Sequence, residues 1–269
     1  MSEDMPPQLD RIRVVLVEPK QAGNIGSVSR AMRNAGLQHL VLVNPGADHT
    51  SGDARKMAVG AGDILYGAKV VESLEEAIAD CLLVVGTSHK TRKDFPVVFG
   101  PREIASRLVS IPNEGDGAII FGREERGLTN KEIQLCQLTA QIPSARRYPS
   151  YNLSQAVLIF GYEIYCAAQN PPDIPEWDLA PQGQVEAMYR HLAQSLDNLG
   201  FKSRHRPDTF IRSVRRFFGR VPLESKDIST IHRICRQVDR FMGKHGIEQP
   251  TEPGLMARAN EQARRDDEE

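Results

Sequence analysis

The chain has little of what a metal, redox or secreted protein needs. Its four cysteines, Cys81, Cys136, Cys166 and Cys235, stand apart with no CxxC pair. That is the pattern of small core residues in a reducing compartment, not of a disulfide framework. The seven histidines show no HxH or HExxH spacing, so no structural or catalytic metal is expected. The opening residues MSEDMPPQLD are acidic and carry no apolar h-region, and no apolar run approaches bilayer-spanning length. No membrane partner is therefore expected, and the expected setting is cytoplasmic. Glycine-based nucleotide signatures are missing too. There is no P-loop Lys-Ser/Thr, no three-glycine dinucleotide fingerprint and no glycine-rich first turn of the common Rossmann type. The formal net charge is −1, so a nucleic-acid partner has to be sought in local clusters rather than in the total.

What is present is a soluble-type composition, 40% hydrophobic and 26% charged over 269 residues, enough for one full α/β domain and a smaller second one. Short β-rich runs at Arg13 to Val17, His39 to Val43, Lys69 to Val71, Leu82 to Val85, Ala118 to Phe121 and Leu138 to Ile142 alternate with helical patterns. Alternation of this kind predicts an α/β fold with a mostly parallel sheet, helices on both faces and right-handed crossovers. The first helix is expected from Ile25 to Asn34 with Asn24 as its N-cap, and Gly26 allows another backbone or a ligand to approach closely. The basic run HKTRKDFPVVFGP, which contains His89, reads as an exposed loop. The prolines and glycine of residues 170–183 mark a linker. Beyond it no strand pattern appears, and residues 184–248 predict three helices as an all-α extension. The polar residues 249–269 read as a disordered tail.

Two segments deliver polar residues to one edge of that sheet, where open α/β folds bind ligands. The strand ending at Phe121 runs into Gly122-Arg-Glu-Glu-Arg-Gly127, and the strand ending at Ile142 runs through a polar loop into Ser150-Tyr-Asn-Leu-Ser154, which opens a helix. That helix carries apolar residues in nearly every direction through Ala168, as burial or a subunit interface requires. One reading of the charges at 123–126 is that they pair with one another across the tight turn, worth little at a surface. From Lys202 to Arg220 seven Lys or Arg stand against one acid, Asp208. With Ile211, Val214, Phe217 and Phe218 packed inward, Arg212, Arg215, Arg216 and Arg220 are expected to project as a phosphate-tracking surface; a solvated helix face is the alternative.

Taken together, Asn24-x-Gly26-x-x-x-Arg30, Gly122-x-Glu124-x-x-Gly127-Leu128 and Ser150-x-Asn152-x-Ser154 resemble the three motifs of the SPOUT superfamily of RNA ribose methyltransferases. Order and approximate separation agree over Arg11 to Gln169, and the strand end Gly86-Thr87-Ser88 also looks like that family. The segment Gly200 to Arg220 is similar to the helical tail of the branch that methylates the first nucleoside of the tRNA anticodon loop, nucleoside 32.

The resemblance implies a fold that chain-topology rules would not give, with the last strand and helix of residues 1–169 threaded into a deep trefoil knot. It implies S-adenosyl-L-methionine as cofactor, held by Gly86, Thr87 and Ser88, by Gly122, Gly127 and Leu128, and by Ile142, Pro149, Ser150 and Tyr151. It implies a homodimer, tRNA as partner through Arg204, Arg206, Arg212, Arg215 and Arg216, and catalysis by Arg30, Asn24, Glu124, Ser150 and Asn152. A guanidinium has no spare lone pair and a pKa above about 12, so Arg30 fits the role of phosphate clamp and alkoxide stabiliser better than that of general base. A ribosomal-RNA ribose methyltransferase of the same superfamily and a non-catalytic knotted RNA-binding protein are the alternatives.

Overall fold

The computed structural model describes residues 5–89, 98–112, 115–145, 150–171, 178–201, 207–219, 222–245, 254, 255 and 257. The sheet is parallel throughout. Its strands are β1 (Ile12–Val17), β2 (His39–Val43), β3 (Lys69–Val71), β4 (Cys81–Thr87), β5 (Val98–Phe99), β6 (Asp116–Phe121) and β7 (Leu138–Ala140), in the order β3-β2-β1-β6-β4-β7-β5. The helices between them are α1 (Ala22–Asn34), α2 (Gly52–Met57), α3 (Gly62–Tyr66), α4 (Leu74–Ile78), α5 (Pro101–Val109) and α6 (Asn130–Gln134), with α7 (Leu153–Gln169) after β7.

The continuous apolar runs follow from burial on both faces. Along β1, Val14 and Leu16 join the core shared with α1, α5 and α7, while Val15 and Val17 join the opposite core with Leu74, Ile78 and Ile133. The period-two alternation of a strand thus feeds two hydrophobic layers. Helix α7 is fixed by Phe160, whose ring meets Phe121 edge-on at 5.8 Å, an arrangement worth about 0.5–1.5 kcal/mol beyond its burial. At Gly161 a Cβ would lie 2.8 Å from the Ala35 Cβ, so glycine there lets α7 approach the end of α1.

Several expectations need correction. Helix α1 begins at Ala22, which places Asn24 inside the first turn; the cap position is Gln21, and it makes no side-chain cap bond. Gly26 serves a backbone and not a ligand, since a Cβ there would lie 2.1 Å from the Ala54 carbonyl oxygen of α2. The segment read as a loop ends in β5, which pairs with β7. Strand β7 stops at Ala140, so Ile142 lies beyond it. Helix α6 was not expected, although Thr129-x-x-Glu132 forms a capping box at its start.

Three further helices, α8 (Gln182–Asn198), α9 (Pro207–Phe218) and α10 (Ser225–Lys244), pack around Val185, Met188, Tyr189 and Ile228. Helix α8 begins two residues before the expected boundary because Gln182 is spent on the junction. Its amide donates to the Leu135 carbonyl at 2.8 Å, and the Gly183 N–H donates to the Ala79 carbonyl at 2.9 Å. No helix among the described residues is long and apolar enough to cross a membrane.

Candidate active site

The carboxyl ends of β1, β4, β6 and β7 point to the same end of the sheet because every pairing is parallel. Loops leaving those ends enclose a cleft of about 440 Å³, within the range of about 300–1,000 Å³ usual for small-molecule sites. Its floor is apolar, with Phe121, Leu128, Ala140, Ile142 and Phe160; Ser150, Tyr151 and Asn152 form its polar rim. Thr87, Ser88, Gly122, Glu124 and Gly127 also line it. Arg30 and Gly86 are not part of this lining, and Pro149 lies outside the described residues.

Three of the expected catalytic residues meet. The Asn152 side-chain amide donates to the Asn24 Oδ1 at 3.4 Å, and the Asn24 Nδ2 donates to Glu124 Oε1 at 3.0 Å. The run thereby joins the first turn of α1, the loop after β6 and the start of α7. Asn152 is held in turn as the N-cap of α7, its Oδ1 accepting from the Ser154 N–H at 2.9 Å and the Ser154 hydroxyl at 2.8 Å. That double acceptance fixes which end of the amide points inward and leaves Nδ2 for Asn24. Asn24 owes its position to this network and not to capping.

The loop after β6 needs its glycines. A Cβ on Gly122 would sit 2.1 Å from the Gly127 carbonyl carbon, and Gly127 has φ +70, so only glycine closes this turn without strain. The Gly127 N–H donates to the Arg123 carbonyl at 2.8 Å. The charges of the loop do not pair with one another. Arg123 bonds Glu18 and Glu132, Lys20 bonds Glu125, and Glu124 takes Asn24. The Arg123 guanidinium holds the Glu18 carboxyl below the usual carboxylate range, chiefly by direct hydrogen bonding.

The remaining expected residues are placed as follows. Gly86 faces away from the cleft, where a Cβ would come within 2.8 Å of the Cys136 sulfur. The Thr87 hydroxyl is committed inward, donating to the Ile120 carbonyl at 2.8 Å. The Tyr151 hydroxyl donates to the Pro143 carbonyl at 3.2 Å, which ties the rim to the end of β7. Arg30 is exposed on α1. His89 is half-buried and lines the cleft instead of standing free in a loop. Gln21, Ala156 and Phe160 line it as well and were missed; Ala156 and Phe160 fall four and eight residues after Asn152, on one helical face, a spacing that the sequence does contain.

On the extension, Arg204 and Arg206 lie outside the described residues. Arg216 is exposed and Arg212 half-buried. The expectation that Arg215 projects outward is overturned. Its guanidinium forks onto Glu186 at 2.5 and 2.7 Å, donates to the Gln134 carbonyl at 3.1 Å and stacks over the Tyr189 ring at 4.5 Å.

Residues 11–162 match the SpoU rRNA Methylase family, and residues 183–247 match the family of the C-terminal domain of the tRNA methyltransferase TrmJ. The tRNA (cytidine/uridine/adenosine-2′-O-)-methyltransferase TrmJ of Pseudomonas aeruginosa is 38% identical over 245 residues, spanning 86% of this chain and 95% of that protein. The tRNA (cytidine/uridine-2′-O-)-methyltransferase TrmJ of Photorhabdus laumondii is 38% identical over 244 residues, 88% of this chain and 100% of its own length. Among solved structures, TrmJ from Z. mobilis superposes with a TM-score of 0.73 at 32% identity, covering 84% of this chain and 98% of that one. The glycine-closed loop, the Asn152–Asn24–Glu124 run and the appended helices therefore sit in a chain that belongs to the SpoU methylase family, in its TrmJ branch.

Proposed function

We propose that the protein methylates the 2′-hydroxyl of a tRNA ribose with S-adenosylmethionine as donor, at nucleoside 32 (cytidine or uridine), where the anticodon loop begins. The observation that carries this reading is the hydrogen-bonded run Asn152–Asn24–Glu124 at the mouth of the cleft, which gathers one residue from each of the three motifs. The lining fits the cofactor: glycine backbone at 122 and 127, an apolar wall from Ile142 and Leu128, and polar groups of Ser150 and Asn152 at the rim. When bound, S-adenosylmethionine supplies an electrophilic methyl group on its sulfonium.

The chain's own task is orientation and stabilisation of charge. Ser150 and Asn152 hold the ribose edge, and Glu124 keeps Asn24 and Asn152 in place. Arg30 clamps the adjoining phosphate and stabilises the alkoxide as the hydroxyl loses its proton. Because Arg30 is exposed and lies outside its own chain's cleft lining, we assign it to the cleft of a second copy. Helix α7, packed on α1, offers Leu158, Tyr162 and Cys166 to solvent at four-residue intervals, an apolar stripe suited to a homodimer. We read residues 1–169 as the catalytic unit, 170–183 as linker, 184–248 as the tRNA-binding extension and 249–269 as a tail, in a cytoplasmic, metal-independent enzyme. The trefoil knot is supported by the placement of β7 between β4 and β5, with α7 returning to pack on both α1 and α5.

Unmodified tRNA transcripts incubated with the protein and S-adenosylmethionine, then digested and mapped by mass spectrometry, test the reading. A 2′-O-methyl at nucleoside 32 is expected, and Arg30→Ala abolishes it with cofactor affinity nearly unchanged. A tRNA left unmethylated, or an active Arg30→Ala enzyme, refutes it.

A further inference from the structure

We propose that Arg123 is a positioning residue for methyl transfer: it latches the loop 122–127 between the end of β1 and the start of α6, and so sets where Glu124 stands. The inference rests on the reading of the cleft as a methyl-transfer site. Arg123 is charged and lies in the loop itself, yet four of its N–H groups are spent on carboxylates of the protein. Its Nε and Nη2 donate to the two Glu18 oxygens at 2.8 and 2.6 Å, and its Nη1 and Nη2 donate to the two Glu132 oxygens at 3.0 and 3.0 Å.

Both partners are themselves fixed. Glu18 adopts φ 46, an uncommon backbone for a residue with a side chain, and its N–H donates to the Val43 carbonyl at 2.8 Å. Glu132 closes the capping box of α6, accepting from the Thr129 N–H at 2.7 Å. A planar fork with five donors can satisfy two carboxylates at once, whereas an ammonium cannot reproduce both pairs of bonds.

Burial separates this latch from the other ion pair of the loop. The Arg123 side chain is 14% exposed, while Lys20 and Glu125 are 55% and 66% exposed and their contact is loose at 3.2 Å. The exposed pair is screened and contributes little; the double fork is what anchors the loop. Residue 124 follows directly, so the angle at which Arg123 is held decides whether Glu124 reaches Asn24 at 3.0 Å and, through it, Asn152.

Full-length Arg123→Lys, Glu18→Gln and the double variant test this, each compared with the parent for melting temperature, S-adenosylmethionine affinity by calorimetry, KM and kcat on tRNA, and tRNA affinity by gel shift. Arg123→Lys is expected to lower kcat by roughly 100-fold, as misplacement by about an ångström does, and to weaken cofactor binding by about tenfold, with tRNA affinity unchanged. Glu18→Gln leaves the Glu132 fork and costs less, and the double variant is no worse than Arg123→Lys because both act through one latch. A lower melting temperature with kcat and KM within about twofold of the parent would mean a structural role only and would overturn the proposal. Should Arg123→Lys fail to fold, Glu18→Gln carries the same readouts, and unchanged kcat and cofactor affinity there overturn it equally. If the parent binds S-adenosylmethionine but leaves tRNA unmethylated, the substrate assignment fails while the cofactor affinities still decide the role of Arg123; a parent that binds no S-adenosylmethionine overturns both.

Discussion

The contact between Arg215 of α9 and Glu186 of α8 offers a quantitative test of how the helices of the extension are held together. The two side chains are 12% and 19% exposed and meet through two short bonds, 2.5 and 2.7 Å. Burial alone would lower the Arg215 pKa, and the nearby Glu186 carboxylate more than reverses that. Glu186→Gln leaves the guanidinium buried beside a neutral amide. Removing one partner of a buried pair costs about 3–5 kcal/mol, most of it the stranded charge. The Gln134 carbonyl and the Tyr189 ring remain as partners, which places the expected loss near the low end, about 3 kcal/mol. For a chain of this size about 2–4 °C of melting temperature goes with each kcal/mol, so a fall of roughly 6–12 °C is expected.

The control lies in the same molecule. Arg102 and Glu163 also form an Arg–Glu pair, at 3.3 Å, but Arg102 is 86% exposed. Exposed pairs contribute about 0–1 kcal/mol, so Arg102→Ala should move the melting temperature by at most about 4 °C. Thermal denaturation followed by circular dichroism measures both. If Glu186→Gln shifts the transition no further than Arg102→Ala does, burial is not what gives the Arg215 pair its weight and the reasoning fails. The double variant Glu186→Leu/Arg215→Met removes both charges together, and it should recover much of the loss.

Three further outcomes are expected. Gly122→Ala puts a Cβ into the Gly127 backbone at 2.1 Å, so calorimetry should detect no S-adenosylmethionine binding while far-ultraviolet circular dichroism stays unchanged; a variant that binds normally would show that the loop closes in another way. Arg216→Ala, at an exposed position on α9, should weaken tRNA binding and reduce the slope of log affinity against log salt by about 1, with cofactor affinity intact; an unchanged slope removes this residue from the RNA surface. The His232 pKa is lowered by burial, by His191, whose Nδ1 lies 2.7 Å from its own, and by Arg236. A histidine depressed in the folded state contributes stability that is complete above its unfolded pKa of about 6.5 and is lost as pH falls through the folded value. The melting temperature should therefore drop on acidification below about pH 6.5, and less so in His232→Asn; equal acid sensitivity in both proteins would refute this.

Much of the fold is legible in the sequence because the strands are buried on both faces and read as unbroken apolar runs. Strand β5 escapes that logic, as its two residues carry no period and depend on β7 for their pairing. Helix α6 was legible and passed over, since Thr129-x-x-Glu132 spells a capping box. The three motif segments of the site were legible as residue types, yet the sequence does not say that Asn24 bonds Glu124 and not a free helix amide; that depends on where three distant loops meet. Arg215 is the most instructive miss. On α9, Ile211, Val214, Arg215 and Phe218 recur at three- and four-residue spacing and share one face, so periodicity alone assigns Arg215 to the inside. The same periodicity turns Phe217 away, and it is 68% exposed. Charge suggested one orientation and helical geometry imposed the other.

Helix α6 has five residues, too short to be stable from its own hydrogen bonds. It persists because it is held at both ends. At its start Glu132 is bonded by Arg123 from the cleft loop, and at its end the Gln134 and Leu135 carbonyls accept from Arg215 and Gln182 of the extension. These end carbonyls would otherwise be orphans of a helix terminus, so the extension completes a piece of the sheet domain as well as docking on it. No described residue of α8, α9 or α10 is part of the cleft lining. The shared support links the helical unit to the loop 122–127: loosening Arg215 frees the far end of the helix whose near end anchors Arg123.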